Sequence, residues 1–330
     1  MSKILITGGA GMIGSNLVKK IISEKNQVTV VDNLWRGKLD YLNFGYGKSL
    51  FDIDNNFYAI DLSFQGSLDH LLDDIDYVIH LADIVAGIGY VFDNQSFIFR
   101  QNLLINSNVI NAVKNSKIKG FLYVGTACSF PESLQNELQS KQLKESQLFP
   151  ANPESAYGWS KLMGQYETKL LEQEFNIPSL SLMLHNVYGS PCDFSIEKSQ
   201  VIPSLIRKAI NYPEEDFIVW GSGKQGRAFV HVNDVVEAIY LAIKKGWQED
   251  TIQIGPSICT TIAEIAEEIV KLSGKNIAIK YDNTKPEGDK SRAADFSLAR
   301  NVLGWRPKTD LSSGLKEQYD WIYKQINRES

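Results

Sequence analysis

The chain has 330 residues, enough for one large α/β domain with a smaller appended region or for two domains of ordinary size. Its formal net charge of -5, from 34 Lys and Arg against 39 Asp and Glu, supplies no broad basic field and argues against nucleic acid as the main partner. No apolar run reaches the length of a membrane span, the N-terminus lacks a signal-peptide pattern, and cysteines at 128, 192 and 259 form neither a disulfide framework nor metal-type pairs. These features fit a soluble protein of the reducing cytoplasm, with no membrane partner and no metal.

In chain order, Ile4 to Thr7 reads as a strand, and Thr7-Gly8-Gly9-Ala10-Gly11-Met12-Ile13-Gly14 follows it directly, opening a helical pattern from Met12 to Glu24. Glycines at such a junction permit a tight turn and let the backbone approach a pyrophosphate, whose charge is then held at the helix N-terminus. Gly8, Gly11, Met12, Ile13 and Gly14 are therefore expected to line a dinucleotide site. The second strand, Val28 to Asp32, ends on a carboxylate that would accept hydrogen bonds from the adenosine ribose and repel a 2'-phosphate, favouring NAD over NADP; Asn33 follows it. Arg36 is either a partner for such a phosphate or a solvated loop charge. A third strand, Tyr58 to Asp61, places Asp61 and Leu62 either at the adenine border or at a helix cap and in the core.

Further strands at Tyr77 to Leu81, Phe121 to Val124 and Ser179 to Leu184 alternate with helical stretches at Asn102 to Ser116 and Ser155 to Phe175. This alternation predicts a Rossmann-type doubly wound parallel sheet. After about Gly189, shorter helices separated by Pro, Gly and charged stretches suggest a smaller C-terminal α/β substrate lobe. The expected division is a dinucleotide-binding domain over 1–188 and a substrate lobe over 189–330, with some chain crossing between them.

Three Tyr-x-x-x-Lys pairs occur, at Tyr157/Lys161, Tyr240/Lys244 and Tyr281/Lys285, and context separates them. Only Tyr157 has a threonine, Thr126, upstream in a strand-then-turn setting. On a helix the i and i+4 side chains share a face, so Lys161 can sit beside the Tyr157 phenol and favour its ionised form. A free phenol titrates near ~10, so a base working at neutral pH needs its phenolate favoured by roughly 4 kcal/mol. Thr126, Tyr157 and Lys161 together can remove a proton from a sugar hydroxyl.

TGGAGMIG, the His80-Leu81-Ala82 run, the Thr126 turn, YGWSK, HNVYG at 185 to 189 and LGWRP at 303 to 307 stand in the order found in extended short-chain dehydrogenase/reductases, and the sequence resembles that family over essentially its whole length. Within it, the GDP-mannose 3,5-epimerase and GDP-fucose synthase branch is most similar, through Thr126-Ala127-Cys128-Ser129-Phe130-Pro131, the loop Ala86-Gly87-Ile88-Gly89-Tyr90, Val201-Ile202-Pro203, and Val219-Trp220-Gly221-Ser222-Gly223 through Arg227. The resemblance implies bound NAD lying against Leu81 and Ala82, and a nucleotide-sugar substrate, GDP-linked rather than UDP-linked. It also implies a homodimer built on the Asn102 to Ser116 and Ser155 to Phe175 helices. Gly87, Gly89, Tyr90, Asn186, Gln200 and Val201 would border the substrate, and Trp220 would border the base or fill the core. Lys208, Arg227 and Arg292 would contact its diphosphate. His185 is a ligand or a packed residue.

The resemblance also implies that Cys128 is one acid/base group for epimerisation, its plain alternative being a small buried filler. The second group in those relatives is a His or Lys immediately before the Val-Ile-Pro run, where this chain has Gln200. An amide cannot exchange a carbon-bound proton. Lys198 lies two residues earlier, a displacement of roughly 6 to 7 Å in an extended segment. The expected activity is therefore oxidation of the sugar C4 to a ketone, on a GDP-manno-configured hexose or heptose destined for surface polysaccharide. The alternatives are an epimerase that reduces its keto intermediate again and a non-enzymatic NAD-binding regulator.

Overall fold

The computed structural model describes residues 1–44 and 51–329. Seven short runs rich in Val, Ile and Leu pair into one parallel sheet in the order Thr251–Ile254, Ser179–Leu184, Gly120–Thr126, Tyr77–His80, Lys3–Thr7, Gln27–Asp32, Phe57–Ala59. Both faces of this sheet are covered, which is why its strands are apolar throughout: all six residues of Ser179–Leu184 are buried. On one face the Met12–Ser23 helix contributes Leu17, Val18 and Ile21, packed with Val235 and Ile239. On the other the Gln95–Lys114 helix contributes Ile98, Ile105 and Val109, packed with Phe121 and Leu171.

The chain leaves Lys3–Thr7 toward one edge, through Gln27–Asp32 and Phe57–Ala59, and then returns to pair Tyr77–His80 on the other side of the first strand. This reversal opens a crevice at the carboxyl ends of the strands, where ligands bind in doubly wound sheets. The register levels its contributors: Thr7 lies opposite Val31 and His80, so the glycine turn, Asp32 and the Leu81-Ala82 segment leave the sheet side by side. Gly120–Thr126 runs on past Tyr123, the partner of His80, and carries Thr126 further over the crevice.

A smaller lobe holds Ile202, Leu205 and Ile206 against Phe217, Ile265, Ile269 and Leu315. The two lobes interleave in sequence. After strand Asn186–Tyr188 and the Val201–Ile210 helix, the chain comes back: helix Val232–Lys245 packs on Met12–Ser23, and Thr251–Ile254 adds the edge strand beside Ser179–Leu184. The lobe that carries the seven-stranded sheet therefore draws on residues well beyond 188.

Among the boundaries that move from their sequence positions are the end of the third strand and the start of one long helix. The third strand ends at Ala59 because the Asp61 carboxylate accepts the Ser63 N–H at 2.9 Å and turns the chain. The helix expected from Asn102 begins at Gln95, directly after a short helix Ile88–Asp93. Among the described residues no helix is long and apolar enough to cross a membrane.

Candidate active site

At the crevice, Gly8 adopts φ 71°, and a Cβ on Gly14 would collide with the Gly8 carbonyl, so the turn tightens onto the helix as only glycines permit. A Cβ placed on Gly11 would meet nothing but the Gly8 oxygen at 3.5 Å; the space over it is open to the cavity. The Met12–Ser23 helix has no side-chain cap and no acidic residue in its first turn. Its leading N–H groups and the positive end of its dipole are thus free for an anion. Asp32, 8% exposed, accepts the Ala10 N–H at 3.0 Å and the Leu34 N–H at 2.8 Å, tying the glycine turn to the second strand. Burial raises its pKa and the two N–H groups oppose that rise. The open glycine cradle, the uncapped helix and the acidic strand end fit a dinucleotide. Arg36 is committed to the Val85 carbonyl at 2.8 Å and lies 3.8 Å from Asp193.

Ser155 caps the Ala156–Phe175 helix by accepting the Gly158 N–H, which puts Tyr157 in the first turn and Lys161 one turn on. The Tyr157 hydroxyl donates to Asp83 Oδ2 at 3.2 Å, and Lys161 Nζ lies 3.2 Å from the same oxygen. Lys161 is also 4.6 Å from the centre of the Tyr123 ring. Burial drives the Tyr157 phenol well above its ordinary pKa, and the Asp83 charge adds to the rise. For Lys161, burial pulls downward but Tyr123 and Asp83 outweigh it, so the ammonium is held charged. Thr126 Oγ1, at the strand end, accepts the Cys128 N–H at 3.2 Å.

This constellation is fixed from behind by buried polar groups. Thr7 Oγ1 lies 2.7 Å from His80 Nδ1, and His80 Nε2 lies 3.1 Å from Asn106 Oδ1, whose amide donates to the Tyr123 hydroxyl and the Ser160 carbonyl. Because the Asn106 NH2 is spent on those acceptors, its oxygen must accept, and His80 must carry its proton on Nε2. Burial lowers the His80 pKa to about 3, with the Lys161 charge acting in the same direction. Asn102 accepts the Ile84 N–H at 2.7 Å and donates to the Ile84 carbonyl and to Ser160, holding the Asp83 loop against the helix.

At the other end of the crevice, a Cβ on Gly87 would strike the Ser199 carbonyl, and the Gly87 N–H reaches the Lys198 carbonyl at 3.1 Å. This close approach seats Gln200, the residue preceding the Val201–Ile210 helix, on the cavity wall. Lys198 points elsewhere: its Nζ donates to the Trp35 carbonyl at 3.0 Å and lies 4.4 Å from that ring's centre. Cys128 Sγ accepts from Arg292 Nη1 at 3.3 Å, and Arg292 pairs with Asp289 at 2.7 Å. Arg292 Nε and Asp289 Oδ1 have no hydrogen-bond partner among the described residues. Beside them Glu154, missed in the sequence, is pushed up to about 7, first by burial and then by the Asp289 charge. Arg227 is spent on the Gly226, Asp289 and Glu287 carbonyls, and Lys208 on the Ile218 carbonyl. Trp220 is 38% exposed, against Gly89. His185 is buried and bonded to Gln253, with its pKa lowered by burial to about 4.

One cavity of about 690 Å3 joins both ends and brings together all the site residues expected from the sequence except Asp61. Ile60 and Leu62 form the wall there, while Asp61 makes the Ser63 turn. The other Tyr-x-x-x-Lys pairs stay outside: Tyr240 bonds Glu24, and Tyr281 is exposed. Asp83 escaped the sequence reading because a single carboxylate after a strand has no spacing to mark it; its place directly after His80-Leu81-Ala82 was the one available signal.

An open sheet with a glycine cradle at its switch point, and a buried Tyr–Lys pair beside it, defines the site of an NAD-dependent oxidoreductase. The chain belongs to the NAD dependent epimerase/dehydratase family, whose model matches residues 4–255. It is 31% identical to GDP-mannose 3,5-epimerase of Arabidopsis thaliana over 99% of this chain and 84% of that one. It is 28% identical to GDP-L-fucose synthase of Escherichia coli (strain K12) over 99% and 98%. UDP-glucuronic acid 4-epimerase of Bacillus cereus, solved with UDP-glucuronic acid and NAD, superposes with a TM-score of 0.83 at 26% identity, covering 98% of this chain and 99% of that chain.

Proposed function

We propose that the protein is a nucleotide-sugar 4-dehydrogenase, oxidising C4 of a GDP-linked, manno-configured hexose or heptose to a ketone for surface-polysaccharide synthesis. The observation carrying this reading is the contrast within one cavity: the Tyr157–Lys161 pair is in place, while Gln200 occupies the wall and Lys198 is turned onto Trp35. Bound NAD supplies the acceptor for the C4 hydride. Tyr157 takes the proton of the C4 hydroxyl, Thr126 hydrogen-bonds the substrate oxygen, and Lys161 holds the nicotinamide ribose and favours negative charge on the phenol. Gly8, Gly11, Met12, Ile13, Gly14 and Asp32 hold the remainder of the dinucleotide. Arg292, whose Nε has no partner among the described residues, orients the sugar nucleotide together with Glu154 and Trp220 on the same cavity wall.

GDP linkage is supported by the similarity to the two GDP-sugar enzymes. A homodimer through the Gln95–Lys114 and Ala156–Phe175 helices is supported by exposed Phe97, Leu104 and Tyr166; Leu162 instead faces its own core. Single-turnover mixing with a panel of GDP and UDP sugars tests the activity. A rise in reduced-nicotinamide absorbance with GDP-manno substrates is expected, and no rise with any sugar contradicts it.

A second reading, epimerisation with transient C4 oxidation, draws on Cys128, whose thiol lies against Arg292 in the cavity. Cys128→Ser separates the two. A dehydrogenase keeps its oxidation rate within about threefold, whereas an epimerase loses isomerisation, by roughly 10²-fold or more, and keeps oxidation.

A further inference from the structure

Glu154 lies on the wall of the large cavity, and the protein uses only one of its oxygens. Oε2 accepts the Asp289 N–H at 3.1 Å, and Oε1 is left without a partner among the described residues. The corner is narrow. A Cβ on Gly288 would stand 2.9 Å from Ile88 Cδ1, 3.3 Å from Arg227 Nη2 and 3.5 Å from Glu154 Oε2. The charged and titratable groups that face Glu154 are Asp289 and Arg292 in the 286–292 segment, Arg227 on the strand Gly226–Arg227 and, against Arg292, the Cys128 thiol; Tyr157 comes next along its own stretch of chain.

The cations of this cavity have most of their donors committed. Both Nη groups of Arg227 go to the Gly226, Asp289 and Glu287 carbonyls, Arg292 Nη1 and Nη2 go to Cys128 Sγ and Asp289 Oδ2, and Lys208 Nζ goes to the Ile218 carbonyl. While Glu154 is ionised, the corner has no net charge either, because Asp289 and Glu154 match Arg227 and Arg292. A diphosphate calls for donors and for net positive charge. One proton on Glu154 supplies both, as an O–H at the cavity wall and an unmatched cation behind it.

We propose that Glu154 takes up a proton when the sugar nucleotide binds and holds it in the complex as a carboxylic acid that donates to the ligand's diphosphate. The inference rests on the sugar-nucleotide reading of the cavity and is independent of whether the bound sugar is oxidised or epimerised. In the free site, burial and then the Asp289 charge push Glu154 up to about 7, against the opposing pull of Arg292 and Arg227. An incoming diphosphate raises it further, since a like charge disfavours the ionised form. The ligand therefore prefers the protonated site. Uptake is small below about pH 6, where Glu154 already carries its proton, and approaches about one proton per site near pH 8, while affinity falls as pH rises through the free group's titration. The ligand's own diphosphate, esterified at both ends, keeps its full charge over this range and contributes no proton.

Calorimetric titration of GDP-mannose into full-length, NAD-loaded Tyr157→Phe protein reads binding with the chemistry silent. Repeated at pH 8 in buffers of different ionisation enthalpy, it should report uptake of about one proton per site, and Kd should rise by roughly tenfold from pH 7 to pH 8.5. Glu154→Gln, added to that background, keeps an oxygen for the Asp289 N–H and places a permanent N–H where the acid has its O–H. Uptake should vanish and Kd should stay within about threefold over the same range. Glu154→Ala, with no donor, should show no uptake and bind about tenfold or more weakly at pH 6. No uptake in the parent, or equal uptake in the Gln variant, overturns the proposal and leaves the sugar-nucleotide reading standing. Failure to bind either GDP-mannose or UDP-glucose overturns both. Uptake in a protein whose wild type reduces no nicotinamide with any sugar supports the proposal and overturns the oxidation reading alone.

Discussion

Tyr157 presents its hydroxyl to Asp83 at the cavity wall, and the chemistry depends on the proton that this oxygen exchanges. Tyr157→Phe removes that single atom while leaving the ring in its pocket. Oxidation should drop by roughly 10²- to 10⁴-fold with the circular-dichroism spectrum unchanged, as single-turnover absorbance would measure. Gln200 offers the reverse experiment, because the wall position is already built. Gln200→His is expected to create exchange of a carbon-bound proton, read as solvent deuterium in sugar recovered after turnover; a variant that exchanges no more than wild type counts against the position's importance. Tyr157, Lys161 and Thr126 were legible from spacing and order. Asp83 and Glu154 were not, since their significance comes from a cavity that assembles residues more than seventy positions apart, as Asp83 and Tyr157 are.

The Ala156–Phe175 helix is placed by polar contacts buried between it, the Gln95–Lys114 helix and the Tyr77–His80 strand. Asn102→Leu leaves the Ile84 N–H and carbonyl buried without partners and should destabilise the fold by about 1–3 kcal/mol, measured as a lower urea midpoint. His80 belongs to the same set. Its folded pKa, about 3, lies below the ordinary imidazole value, so its contribution to stability is whole above that value and is lost as pH falls toward 3. Nitrogen NMR of the four histidines should show His80 as an Nε2–H tautomer that does not titrate between pH 5 and 8. A His80 resonance that titrates in that range contradicts the network. Helical periodicity located these elements but misplaced the start at Gln95, where the mixed run Gln95-Ser96-Phe97-Ile98-Phe99-Arg100 carries a partly exposed face and blurs the apolar stripe.

At the scale of the molecule, alternating strands and helices made the doubly wound sheet readable, because burial on both faces demands continuous apolar strands. The return of the chain was only partly readable. Nothing local in Thr251–Ile254 says which strand it will pair with, and that pairing closes the sheet beside Ser179–Leu184. A fragment ending at residue 188 would expose this fully buried strand as an edge and bare the face of Met12–Ser23 that Val232–Lys245 covers. It should be insoluble or molten; a monomeric fragment that binds NAD would contradict this. The same interleaving ties the glycine turn to the smaller lobe, so both ends of the cavity depend on one folded unit.

The central claim is that oxidation at C4 is the net reaction, and the fate of the neighbouring carbon-bound protons tests it most directly. Turnover of a GDP-manno sugar in deuterium oxide, followed by mass spectrometry and NMR of the product, should give a 4-keto sugar nucleotide without deuterium at C3 or C5. Deuterium at either carbon in recovered sugar that has regained its C4 hydroxyl would contradict it and assign the chain to epimerisation.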